Sequence, residues 1–115
     1  MKRLFAIALA IACSTSAFAT EVSIPGGRVT SFNDPPTAQD LARASTTAAN
    51  LLVYNSICAP LSVESLTFAA QLIGIAGRVR VEEFMKMAMS FTARNGVDGF
   101  CFMVRDNLPR EVFVP

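Results

Sequence analysis

Four breaks limit what this apolar, alanine-rich chain can fold into: the run Asn33-Asp34-Pro35-Pro36, then Pro60, Gly77 and Gly96. Prolines remove a backbone donor and bar a helical predecessor, and glycines end helices, so regular structure must fit between these points. The intervals carry apolar residues at helical spacing. The expected fold class is all-α, a small bundle of three to four helices with an irregular N-terminal arm and one disulfide.

The first helix starts at Thr37, whose hydroxyl caps the first turn, with Asp40 three residues on to complete a capping-box-like pattern. Leu41, Ala44, Ala48, Leu51, Leu52 and Asn55 form its stripe, and it runs to about Cys58. Ser62 caps a second helix with Glu64 in its first turn. Leu66 to Ala76 is apolar nearly all round, interrupted only by Thr67, Gln71 and Gly74, which places this helix at the centre of a bundle or at an interface. Gly77 ends it, with Arg78 and Arg80 beside its C-terminus.

A third helix opens near Val81, with Val81, Phe84, Met85, Ala88, Phe91 and Thr92 facing inward, and stops at Arg94-Asn95-Gly96. The short link makes it an antiparallel hairpin partner of the second. Residues 98–114 read two ways. Asp98 can cap a helix over Gly99–Asn107, which is favoured here, or Phe100–Arg105 and Glu111–Val114 can pair as a β-hairpin around Asp106-Asn107-Leu108-Pro109.

Ahead of these elements, residues 1–19 read as a secretory signal. Lys2 and Arg3 supply positive charge, Leu4 to Ala12 is an unbroken apolar run too short for a permanent span, and Ala17-Phe18-Ala19 offers a small-x-small cut. Cleavage after Ala19 makes Thr20 the new N-terminus. A competing reading acylates Cys13 and anchors the domain to a membrane. The expected organisation is thus 1–19 signal peptide, 20–36 irregular arm and 37–115 helical domain, periplasmic or secreted. Within the arm, Pro25-Gly26-Gly27 is a turn whose flanks, Glu21–Ile24 and Arg28–Phe32, can pair as a small hairpin or stay mobile.

Losing Lys2 and Arg3 leaves 8 basic against 9 acidic residues, a net charge near −1. Such a balance gives no electrostatic footprint for nucleic acid or anionic lipid, and no run of membrane-spanning length remains. Cysteine supplies stability that a domain this small otherwise lacks. Once Cys13 is gone, Cys58 and Cys101 are the remaining pair, and in an exported protein they most simply form a disulfide.

The residues argue against catalysis. With no histidine the commonest general base and metal ligand are both missing, and Lys86 is the only lysine after the signal. Glu82 and Glu83, adjacent on a helix, point about 100° apart and cannot converge on one atom. Asp34, Asp98 and Asp106 are scattered. Gly74–Gly77 and Gly96–Gly99 match Gly-x-x-Gly but follow no strand, so helix ends explain them. No catalytic residue and no cofactor are assigned.

Binding is better represented. Met85, Met87 and Met89 alternate along the third helix with Met103 beyond, and thioethers in an oxidising compartment can hold Cu(I). Met85, Met89 and Met103 are the candidate ligands of that alternative; flexible core filling is the ordinary use of such residues. Met87, with Leu72 and Ile75 of the second helix, forms the candidate interface of a protein-binding or self-associating module. The two-cysteine helical layout looks like that of small periplasmic acid-stress chaperones and of the helical periplasmic immunity proteins that block secreted amidase toxins. That likeness of plan implies protein binding and carries no residue over; the acid-stress chaperones are far more highly charged than this chain.

Overall fold

The computed structural model describes residues 20–114; residues 1–19, expected to be a signal segment, with Cys13 and the Ala19 side of the expected cut, lie outside them. The described chain is mostly helical. A hairpin of β1 (Thr20–Ile24) and β2 (Arg28–Phe32) precedes three helices, α1 (Ala38–Ile57), α2 (Val63–Ala76) and α3 (Arg78–Asn107), and a 3-10 turn spans Arg110–Phe113. Cys58 and Cys101 are bonded, with their Cα atoms 5.8 Å apart.

The N-terminal arm is not irregular. Its strands pair antiparallel with Val22 opposite Thr30 and Thr20 opposite Phe32. Strand periodicity of two sends Val22 and Phe32 into the core while Glu21, Ser23, Val29 and Ser31 face water. An isolated hairpin of this size is marginal in water, so its order comes from that anchoring. Arg43 of α1 adds polar fastening. Its guanidinium donates to the Thr30 hydroxyl at 2.8 Å and the Ser31 carbonyl at 2.7 Å, and lies 4.1 Å from the centre of the Phe32 ring.

The capping box at Thr37 and Asp40 forms as expected. Ala44, Ala48 and Leu51 are buried as expected, but Ser45, Ala49, Val53 and Tyr54 are buried too. This wider burial corrects the placement of α2 at the centre: α1 occupies it, making its main contacts with both α2 and α3. Small side chains on several sides of α1 let neighbours approach closely, whereas Thr67, Ala70, Gln71 and Gly74 leave α2 with one exposed side. Asn55, the polar residue in the α1 stripe, accepts the Leu61 N–H at 2.8 Å and so ties down the link through Pro60.

The expected α2–α3 hairpin also needs correction. Gly77 alone connects the two helices, with φ 89° and ψ 145°, and α3 opens at Arg78 rather than near Val81. Contact between α2 and α3 is small beside what each makes with α1. Positive φ at Gly77 lets the chain turn in one residue, where a side chain would be strained. At Gly96 the helix again breaks, with φ 83° and ψ 162°, but resumes at once. The segment after the break runs antiparallel to α1: Cys101 is bonded to Cys58, and Arg105 donates to the Tyr54 hydroxyl at 3.2 Å.

The β-hairpin alternative for the C-terminal segment is thereby excluded, and the helical reading of Gly99–Asn107 holds. Residues after Pro109 fold back as the 3-10 turn. There Val112 is buried, its carbonyl accepts the Ser65 hydroxyl from α2, and the Phe113 ring lies 4.9 Å from that of Tyr54.

Candidate functional site

The first part of α3, from Arg78 to Asn95, is the least covered helical stretch among the described residues. Only Val81 and Ala88 are fully buried there. Phe84, Met85, Phe91 and Thr92 are half-buried, so the inward stripe expected from spacing is the covered one. Phe91 packs edge-on to Phe100 across the Gly96 break, with ring centres 6.4 Å apart, which ties this stretch to the disulfide-linked segment.

Met87 is 60% exposed on one flank of the stripe. With 3.6 residues per turn, Phe84, Met87 and Phe91 line up along that flank as one apolar ridge. Arg80, Glu83 and Arg94 border it and are all exposed. The other flank carries Met89, 59% exposed. A solvated helix face ordinarily offers polar side chains at these positions. Phe102, on the segment after Gly96, is also 64% exposed.

Of the three candidate interface residues, Met87 alone is exposed. Leu72 is 1% exposed, sealed in the core because it lies on the covered side of α2 with Phe68 and Ala69. It cannot touch a partner. Ile75 is half-buried and lines a cleft with Phe32, Asn33, Asp34 and Pro36, where the chain passes from hairpin to α1. The sequence pointed to α2 as a binding helix because its apolar residues surround it; the larger apolar ridge on α3 went unread as a surface because Phe84 and Phe91 also serve the core.

The methionines take separate places. Met85 packs against the core and Met89 faces water one turn on. Met103 lies beyond the Gly96 break and lines a cleft with Thr46 and Asn50 of α1. Among the described residues, no three histidine, cysteine, aspartate or glutamate side chains gather as a metal site. Asp34, Asp98 and Asp106 are exposed, as are Glu82 and Glu83.

One surface cleft, of about 560 Å³, lies at the Gly77 turn among Ala76, Val79, Arg80 and Glu83. Another of about 260 Å³ separates Ile24 and Pro25 of the hairpin from Val63 and Phe68 of α2. A third of about 280 Å³ lies where the hairpin, α1 and α2 meet. Its charged group, Arg43, is already engaged by Thr30, Ser31 and the Asp40 carboxylate, 3.5 Å away. Asp40 in turn accepts from the Asn33 side chain and from the backbones of Asn33 and Thr37; these bonds hold its carboxyl well below the usual range. Both groups therefore fasten the hairpin link and are not free for a ligand. No described helix is long and apolar enough to cross a membrane. The chain matches no protein-family model, no curated protein and no solved structure.

Proposed function

We propose that this chain is an exported, non-catalytic protein-binding module of small helical-bundle type, acting in the periplasm or secreted space after loss of residues 1–19. The observation that carries the reading is the ridge of Phe84, Met87 and Phe91 on the least covered helix, with Met87 largely in water. Apolar ridges rimmed by charge are the usual form of a protein-docking surface, and methionine adapts its shape to a partner. The disulfide suits an oxidising compartment. The soft-metal alternative draws less support, since Met103 faces α1 while Met89 faces water.

The test is affinity capture by the oxidised protein from a native extract of its own compartment, at neutral and acidic pH, alongside a Met87→Glu variant. The expected outcome is a protein bound in stoichiometric amount by the parent and lost by the variant. Equal capture by both would sink the assignment of this face.

A further inference from the structure

We infer that the partner this ridge fits is a second copy of the chain, bound about a two-fold axis with the two Arg78–Asn95 stretches antiparallel. The inference rests on the protein-binding reading above and names its occupant. Arg80, Phe84, Met87, Phe91 and Arg94 follow each other at intervals of four, three, four and three residues. That alternation keeps five side chains on one seam and is the spacing by which two helices interlock. Val81 and Ala88 carry the fully buried face, while Phe84 and Phe91 pack on the core with one side and keep the other beside the exposed Met87, which is the part of the seam open in the folded monomer.

Charge decides the direction. The seam has an acidic neighbour, Glu83, near one end and Arg94 at the other, and the only ion pair among the described residues is Arg43 with Asp40. A parallel pair in register would set Arg80 on Arg80 and Arg94 on Arg94, like charges face to face. An antiparallel pair layers Met87 against Phe91 of the second copy and Phe84 against its Arg94. Each Arg94 guanidinium then lies over a Phe84 ring and reaches the Glu83 beside it, twice per dimer by symmetry. Arg80 projects past the end of the facing segment into water. Six apolar side chains make a small contact, so the dimer is a weak, concentration-dependent one.

The experiment is sedimentation equilibrium on the protein expressed from its full sequence and purified oxidised, from about 1 to 500 µM, a range suited to weak association. Circular dichroism confirms that each variant is folded. The expected result is dimer at the upper end, monomer throughout for Met87→Glu, and weakening of about fivefold or more for Glu83→Arg or Arg94→Glu alone. The double exchange Glu83→Arg/Arg94→Glu recovers most of that loss, a signature that a general loss of stability does not produce. A parent protein monomeric at every concentration overturns the inference, as does a dimer indifferent to Met87→Glu. If that monomer still captures another protein in a Met87-dependent way, the binding reading survives without the second copy; if capture ignores Met87, both fall.

Discussion

Asn33 and Asp40 are joined twice: one carboxylate oxygen of Asp40 accepts the Asn33 backbone N–H at 2.9 Å and its side-chain amide at 2.8 Å. The same oxygen accepts the Thr37 N–H at 3.1 Å, so one side chain holds the Pro35-Pro36 link against the start of α1. These bonds favour the ionised form and lower the carboxyl's pKa, with burial opposing them only in part. A lowered folded pKa means the contribution is complete above the unfolded value, about 4, and is lost as pH falls below it toward the folded one. Urea unfolding should therefore show Asp40→Asn less stable than the parent at pH 7, with the gap closing between about pH 4 and pH 2. A gap that stays constant over that window would show that this carboxylate is not the acid-sensitive element.

Ser65 couples α2 to the C-terminal turn. Its buried hydroxyl donates to the Val112 carbonyl and accepts from Ser62. Ser65→Ala leaves that carbonyl unpaired in the core, and the expected loss is about 1–3 kcal/mol by denaturant titration. A change within measurement error would mean that water reaches Val112.

The hairpin turn is close-fitted at one glycine and open at the next. A Cβ on Gly26 would lie 2.5 Å from Cγ of Glu111 and 2.7 Å from its Cβ, whereas one on Gly27 meets nothing within 4 Å. Both have positive φ, so both alanine variants carry backbone strain of about 1 kcal/mol or more. Gly26→Ala should cost more, since it also forces the C-terminal turn away. Thermal midpoints that rank the two the other way would show that Glu111 yields freely.

Leu72 and Met87 separate stability from binding. Leu72→Ala removes a fully enclosed side chain and should lower stability by about 2–5 kcal/mol. Met87→Ser should stay within about 0.5 kcal/mol of the parent, because the side chain is largely hydrated already. Calorimetry on both variants checks this, and a large loss at Met87 would place it in the fold's core.

Local signals were the legible part of this chain. Thr37 with Asp40, the stops at Pro60, Gly77 and Gly96, and the stripe from Val81 to Thr92 each depend on neighbours a few residues away, and each stands where spacing placed it. What spacing could not show was which helix neighbours which. Alanine counts as weakly apolar in any periodic pattern, so Ala44, Ala48 and Ala49 gave no sign that α1 would be enclosed on several sides. The role of Arg43 on Phe32 depends on a hairpin that its own neighbourhood does not encode. For the candidate surface, Met87 was legible from composition and position, while Leu72 was misplaced because an all-round apolar helix does not reveal which side is covered.

The bond between Cys58 and Cys101 closes a covalent ring that contains all of α2 and the stretch of α3 up to Gly96. A protease that cuts one peptide bond inside that ring produces a nicked chain, still one molecule, rather than two fragments. Arg78, Arg80, Lys86 and Arg94, the exposed basic residues of the Arg78–Asn95 stretch and so its natural trypsin sites, all fall within it. The stretch most open to attack is thus also the one whose cleavage releases nothing, whereas a cut after Arg28 or Arg110 lies outside the ring and sheds an end of the chain.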